Sequence, residues 1–331
     1  MGYFNHADYV EMTVHFRCNL KCRHCMILET MDWLTPANAA EFQSLLDENR
    51  REQKWKGLIL TGSEVTLRSD LPKMAEQARD AGFQHVRIQT HGMRLSDDRY
   101  CRTLVDAGID EFFVSLTADT AELHDSITEV PGSFAKTLHG IHNLGQIPSV
   151  KVLTNTVVTR LSYQSLPGVV ELLKDVPNLV EMDFWSYWPM QEEGDPKLLV
   201  SHLETQPFLR KAIRLARAYG RDVETKNFPH CLLGTESDAL VNDQPELRID
   251  SRFWNEFNRN GFHSCAFRDV CGSRQCLGLN AAYVKHFGWH EDELNPLPRC
   301  AENNRLTTRT AESLGRDASL AEGVRFMPLE V

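Results

Sequence analysis

The sequence predicts an α/β fold: a parallel sheet of βα repeats over residues 1–204, then a smaller, irregular, cysteine-bearing region over 205–331. Three observations predict it. Short runs rich in β-branched and aromatic residues alternate with amphipathic stretches as far as Trp188. That rhythm marks parallel strands joined by helical crossovers. It stops after Gly220, and five of the nine cysteines lie beyond that point.

The expected strands are YVEMTVHF (9–16), GLILTG (57–62), HVRIQT (85–90), EFFVSL (111–116), VKVLTNTVV (150–158) and LVEMDFWSYW (179–188). Their largely apolar character suits strands covered on both faces. The stretches TPANAAEFQSLLDENRREQ, LPKMAEQARDAG, DDRYCRTLVDAG, SFAKTLHGIHNLG and LPGVVELLKDV read as the intervening helices. Several open near Ser, Thr or Asp and stop at Gly, residues that satisfy helix ends. Six strands are fewer than a closed eight-fold barrel needs, so a partial barrel and an open doubly wound sheet both fit. The turn-rich PMQEEGDPK (189–197) ends this region. A further helix is expected with Thr205 as its cap, Pro207 in its first turn and Gly220 at its end.

Composition excludes several classes. With 42% apolar and 25% charged residues the chain is globular rather than disordered. A net charge of −10 argues against nucleic acid as a partner, because non-specific binding needs a positive surface. No apolar run approaches the ~20 residues that span a bilayer. The start, MGYFNHADYVE, lacks the order of a signal peptide, and His6 stands where a myristoylation signal carries Ser or Thr. A cytoplasmic protein is expected, where cysteines rarely form a disulfide framework. Cys101, mid-helix, reads as simply buried. Cys18, Cys22 and Cys25 form one cluster, and Cys231, Cys265, Cys271, Cys276 and Cys300 form another, as two metal sites would.

The first cluster reads C-x3-C-x2-C directly after the first strand. Thiolates so spaced can converge on one metal or cluster, and Arg17, Lys21 and Arg23 would favour the ionised form. Three thiolates leave a fourth position open, the mark of a catalytic rather than a structural site. A zinc site completed by His15 or His24 is the alternative. The loop's place at the carboxyl edge of a parallel sheet, where active sites collect, weighs against zinc.

This motif, after the first strand of a βα-repeat domain, resembles the radical S-adenosylmethionine (SAM) superfamily, with His24 in place of the usual aromatic residue before the third cysteine. TGSEVT (61–66) resembles the family's GGE-type motif, which implies that Gly62, Ser63 and Glu64 hold the methionine amino group of SAM. QTHGMRL (89–95) is similar to the T-N-G segment, with Thr90 retained and His91 replacing Asn. VSLTADTAELHDSIT (114–128) is similar to the fourth-strand segment, where Ser115 or Thr117 would approach the ribose or carboxylate, and TNTVVTR (154–160) suggests Asn155 as a further contact. Trp185, sharing a strand face with Tyr187, would line the SAM or substrate pocket. The resemblance implies a partial (β/α)6 TIM-type barrel and a [4Fe–4S] cluster on Cys18, Cys22 and Cys25 that binds SAM at its open iron. It also implies reductive cleavage to a 5′-deoxyadenosyl radical, which abstracts a substrate hydrogen.

The second cluster is similar to the SPASM or twitch extensions of that family, which carry auxiliary [4Fe–4S] clusters. It departs from the full pattern: Arg268 replaces one cysteine, and four residues rather than three separate Cys271 from Cys276. Five thiols can fully ligate one cluster but not two, so a single auxiliary cluster on four of the five is expected. Zinc is again the alternative.

An auxiliary cluster that accepts electrons favours oxidative modification of a peptide, as in maturation of ribosomal peptides, or of a small natural-product intermediate. Epimerisation with a cysteine hydrogen donor is the rival reading, and a non-catalytic zinc or iron–sulfur scaffold is the reading from another class. The expected partners are the substrate, an external one-electron reductant such as flavodoxin or ferredoxin, and a separate leader-binding protein, since the cluster loop begins only at residue 18. The catalytic residues are not legible.

Overall fold

The computed structural model describes residues 4–28, 31–189, 196–259, 261–263 and 265–299. Its centre is an eight-stranded parallel sheet: β1 (Tyr9–His15), β2 (Gly57–Gly62), β3 (His85–Thr90), β4 (Glu111–Ser115), β5 (Lys151–Val158), β6 (Leu179–Ser186), β7 (Asp222–Lys226) and β8 (Glu246–Arg248). The order is β7-β6-β5-β4-β3-β2-β1-β8, and every pairing is parallel. β7 and β8 end the sheet on opposite sides, which leaves it curled but open, a partial TIM-type barrel.

The crossovers are α1 (Ala39–Glu52), α2 (Leu71–Asp80), α3 (Asp98–Asp106), α4 (Ala121–Thr128), α5 (Ser133–Gly145), α6 (Leu166–Leu172) and α7 (His202–Ala218). Outward side chains such as Val10, Leu58, Ile88, Phe112 and Phe184 pack beneath Leu46, Ala78, Leu104, Ile141 and Ile213. Burial of each large apolar side chain contributes roughly 1.5–3 kcal/mol, so this outer layer holds the barrel together. Cys101 sits in it, with its thiol directed at the Leu95 carbonyl (3.0 Å).

Two expectations are corrected. Ser201, not Thr205, caps α7, accepting from the Leu203 amide; Thr205 instead bonds back to the Ser201 carbonyl, and Pro207 lies inside the helix. The six expected strands are joined by two more. β7 reads DVETK, an alternation of charges that looks solvent-facing in sequence. Its Glu224 and Lys226 are nonetheless buried, because the barrel interior supplies their partners.

That interior is polar. The Arg87 guanidinium meets Glu111 at 2.7 Å and lies 3.7 Å from the Phe4 ring centroid, while Tyr9 donates to Glu111 (3.0 Å). Glu224 is held by His6 (3.0 Å) and Lys226 (3.2 Å). Burial works against its charge, but Lys226 and His6 outweigh it and hold Glu224 down at about 2. On the neighbouring strand Asp183 accepts from the Trp185 indole at one oxygen (3.0 Å) and has no partner among the described residues at the other. Burial, reinforced by the charge of Glu224, pushes Asp183 up to about 7. These side chains fill the barrel but for a cavity of about 30 Å³, enough for water.

Beyond β8 come α8 (Phe253–Arg259), the antiparallel pair β9 (Phe262–His263) and β10 (Leu279–Asn280), and α9 (Ala281–Phe287). Tyr283 ties this region to the barrel: its hydroxyl accepts from the His202 amide (2.9 Å) and its ring stacks on His202 at 4.3 Å.

Candidate metal and cofactor site

The loop after β1 carries Cys18, Cys22 and Cys25, all free and half-buried. The amides of Lys21 and Arg23 donate to the carbonyls of Thr128 and Ile127 at the end of α4, and the Ser63 and Glu64 amides donate to His15 and Arg17. The loop is therefore fastened to the ends of two neighbouring βα units. Gly62 is required where they meet: its φ is +142°, and a Cβ there would lie 1.9 Å from the His15 carbonyl oxygen. Burial pushes the Cys18 thiol up to about 11 and raises Cys25, while burial and the approach of Cys25 and Cys18 raise Cys22. The basic residues expected to favour thiolates, Arg17, Lys21 and Arg23, are exposed. Thiols withdrawn from water in this way ionise more readily when a cation joins them.

The same edge of the barrel carries polar atoms without partners among the described residues. Ser63 Oγ at the end of β2, Thr117 Oγ1 after β4, Asn155 Oδ1 on β5, His15 Nε2 and His24 Nδ1 are all buried and unpaired. Ser115 and Asn155 are register partners across β4 and β5. Buried polar groups are normally bonded, so this many orphans on one edge indicates a polar ligand. Burial, with His124 nearby, lowers His24 to about 4, leaving it neutral.

Glu64 is placed differently. It is fully buried, and its carboxylate already accepts from Thr66 N (3.0 Å), Thr66 Oγ1 (2.5 Å), Thr90 Oγ1 (2.7 Å) and His91 N (2.8 Å), with His91 Nε2 at 3.1 Å. His91 Nδ1 accepts from the Met93 amide, so Nε2 carries the proton and donates toward Glu64 and Asn19. Sequence reasoning assigned no role to Thr66 or Asn19. Trp185 lies on the interior face, 5.9 Å from the Phe113 ring, and Tyr187 is buried.

In the C-terminal region Cys231, Cys265, Cys271 and Cys276 gather: burial first, and neighbouring thiols after it, raise Cys231, Cys265 and Cys276. Cys276 is pushed up to about 11. Backbone amides point at the sulfurs, with Phe267 N on Cys265, Leu297 N on Cys271 and Gly278 N on Cys276, each at 3.4 Å. Cys300 lies outside the described residues. Among the described residues no three cysteines bring their sulfurs within 4.8 Å of one another.

Residues 12–173 match the Radical SAM superfamily. Among curated proteins, the Fe-coproporphyrin III synthase of Methanosarcina barkeri is 26% identical over 241 residues, 70% of this chain and 58% of that protein. A probable GTP 3′,8-cyclase of Methanopyrus kandleri is 31% identical over 170 residues, 51% and 54% respectively. The chain thus spans little more than half the length of these relatives. Among solved structures, Streptococcus suis SuiB bound to its precursor peptide SuiA aligns with a TM-score of 0.55 and 14% identity, over 97% of this chain and 67% of SuiB, a likeness of fold. No described helix is long and apolar enough to cross a membrane.

Proposed function

We propose, on the premise that this chain carries a radical SAM domain over residues 12–173, that it is an enzyme in which Cys18, Cys22 and Cys25 hold a [4Fe–4S] cluster and the adjoining strand ends hold SAM. The observation that carries the reading is the meeting of three half-buried thiols and five polar atoms without partners among the described residues on one barrel edge. The bound cofactors supply a one-electron cleavage of SAM to the 5′-deoxyadenosyl radical, which takes a hydrogen atom from the substrate. Ser63, Thr117 and Asn155 are free to bond the polar groups of SAM. Glu64 acts with Thr66, Thr90 and His91 as one network that fixes the shape of that edge and offers negative charge to the methionine amine. The neutral His24 gives a flat face beside the third cysteine, and Trp185 separates this edge from the charged barrel floor.

In the second region, Cys231, Cys265, Cys271 and Cys276 would hold one auxiliary [4Fe–4S] cluster, their sulfurs stabilised by backbone amides. Cys300 is then the surplus thiol. The reaction we favour is oxidation of a peptide or a small molecule. SuiB solved with SuiA supports the peptide. A flat apolar substrate is the second reading. It is favoured by an apolar wall of Phe16, Met26, Ile27, Leu34, Phe253 and Trp254 and by the tetrapyrrole named for the Methanosarcina relative.

Anaerobic reconstitution with an iron count is the first test. About eight irons per chain agree with two clusters, and about four would remove the auxiliary one. Cys300→Ala should leave the count unchanged. Reduced protein should convert SAM to 5′-deoxyadenosine, and failure under strong reductant would overturn the enzyme reading. Faster formation on adding Fe-coproporphyrin III, but not a precursor peptide encoded beside the gene, would favour the flat substrate.

A further inference from the structure

Inside the barrel, Glu181 and Asp183 project from one face of β6, and Glu224, the register partner of Asp183 on β7, projects beside them. All three are buried, and a carboxylate oxygen from each lies within 4.8 Å of the other two. Of the interior cations, Lys226 divides its bonds among Glu224 (3.2 Å) and the carbonyls of Val241 (2.9 Å) and Asp243 (3.3 Å). Arg87 is taken up by Glu111. Three carboxylates out of water cannot all stay ionised at this spacing without a further counter-charge, which is either a proton or a cation. Two observations point to the cation. Asp183 is 4% exposed and borders the cavity of about 30 Å³, yet its Oδ1 has no partner among the described residues. Asn155, in register with Asp183 on β5, faces the same side of the sheet, is 8% exposed and has an Oδ1 equally without a partner among them.

We propose that Glu181, Asp183 and Glu224 form a binding site for one hard divalent cation (Mg²⁺, Mn²⁺ or Ca²⁺) in the barrel interior. The inference stands apart from the proposed function. A donor set made of oxygens, most of them anionic, selects such ions over the softer metals that thiolates hold. With metal–oxygen bonds of about 2.1–2.4 Å, neighbouring ligands of one ion lie ~3.0–3.4 Å apart and opposite ones ~4.2–4.8 Å apart. Three oxygens within 4.8 Å of one another can therefore share one ion. The water-sized cavity at Asp183 has room for a further ligand. The charges also balance. Burial lowers His6 and keeps it neutral, so three carboxylates offset by Lys226 leave two negative charges, which one divalent cation cancels. Without the ion a proton must take its place. Asp183, Asn155 and Ser115 follow one register line across β6, β5 and β4, so the ion lies level with the strand ends described above. It thereby sets the charge met by any group that enters the barrel.

The test is a Mn²⁺ titration of the full chain, isolated anaerobically and desalted, followed by the EPR signal of free Mn²⁺. Wild type should bind about one Mn²⁺ per chain saturably, and excess Mg²⁺ or Ca²⁺ should displace it. Added Mn²⁺ should also raise Tm, because the site exists only in the folded chain. Asp183→Asn and Glu181→Gln each remove one anionic oxygen and keep its shape. Both should weaken Mn²⁺ binding by roughly tenfold or more and abolish the rise in Tm. Glu76→Gln, at an exposed position of α2, should bind as wild type does, which separates the site from diffuse attraction to a chain of net charge −10. A Tm for Asp183→Asn without added cation at or above that of wild type shows the variant folded, so that its lost affinity is loss of the site. Absence of saturable Mn²⁺ binding in wild type would overturn the proposal and leave the three carboxylates to a shared proton. Binding unchanged in both interior variants, or weakened equally in Glu76→Gln, would overturn it too.

Discussion

Glu64→Gln separates a structural from a purely ligand-binding carboxylate. In the wild-type protein every direction around the Glu64 carboxylate is met by a donor: the Thr66 and Thr90 hydroxyls, the amides of Thr66 and His91, and the His91 Nε2 proton. The two hydroxyls can rotate and become acceptors. The two backbone amides cannot. If the glutamine NH2 takes the first oxygen's place it faces the Thr66 amide, and if it takes the second it faces the His91 amide. Either orientation leaves one buried backbone donor unsatisfied and converts the remaining charge-assisted bonds to neutral ones. An unsatisfied buried donor costs about 1–3 kcal/mol, and hydrogen bonds to charged groups contribute about 1.5–3 kcal/mol against ~1 for neutral ones. The expected loss is therefore about 3 kcal/mol. At roughly 2–4 °C per kcal/mol for a large domain, Tm should fall by about 6–12 °C. Thermal unfolding of the metal-free protein under anaerobic conditions, without SAM, is the assay. A Tm within a degree of wild type would refute this reasoning, because a carboxylate kept only for the SAM amine contributes nothing in SAM's absence.

Gly62→Ala combines positive-φ strain of about 1–3 kcal/mol with overpacking of similar size against the His15 carbonyl, so it should lower both soluble yield and reconstituted iron at the first cluster. Wild-type iron content and Tm would show that the β1–β2 junction can yield. Asp183 gives a pH signature. Its folded pKa, about 7, lies above the usual carboxylate value, so between about pH 4 and 7 the folded chain holds a proton that the unfolded chain has released. Its contribution is complete below that window and is lost as pH rises through 7, by no more than about 4 kcal/mol at 1.36 kcal/mol per unit. Asp183→Asn, isosteric and uncharged, should flatten this decline. Parallel stability curves for wild type and variant from pH 5 to 8 would exclude Asp183 as its source.

What was legible in the chain was whatever depends on neighbours in sequence. The strand runs 57–62 and 85–90 coincide with β2 and β3, and 133–145 with α5, because short apolar runs buried on both faces and amphipathic helical stretches are written in consecutive residues. The grouping of Cys18, Cys22 and Cys25 in one loop is likewise legible from their spacing alone. The misread segments were those whose partners come from far away. DVETK is a strand because His6, some 218 residues earlier, accompanies Lys226 at Glu224. The starting residue of α7 was misplaced because Ser201 and Thr205 are equally plausible caps until the backbone shows which one precedes the first turn.

The sequence by itself determined the βα order and the two cysteine groups, since periodicity and thiol spacing are local properties of the chain; between a partial barrel and an open doubly wound sheet the strand order β7-β6-β5-β4-β3-β2-β1-β8 decided. Tertiary structure alone decided that Glu64 is enclosed by Thr66, Thr90 and His91, that four C-terminal cysteines gather, and that the barrel floor is a charged network. Those outcomes depend on which side chains the curled sheet brings within a few ångströms, and on how far it takes them out of water. Neither distance nor dielectric is written in the order of residues.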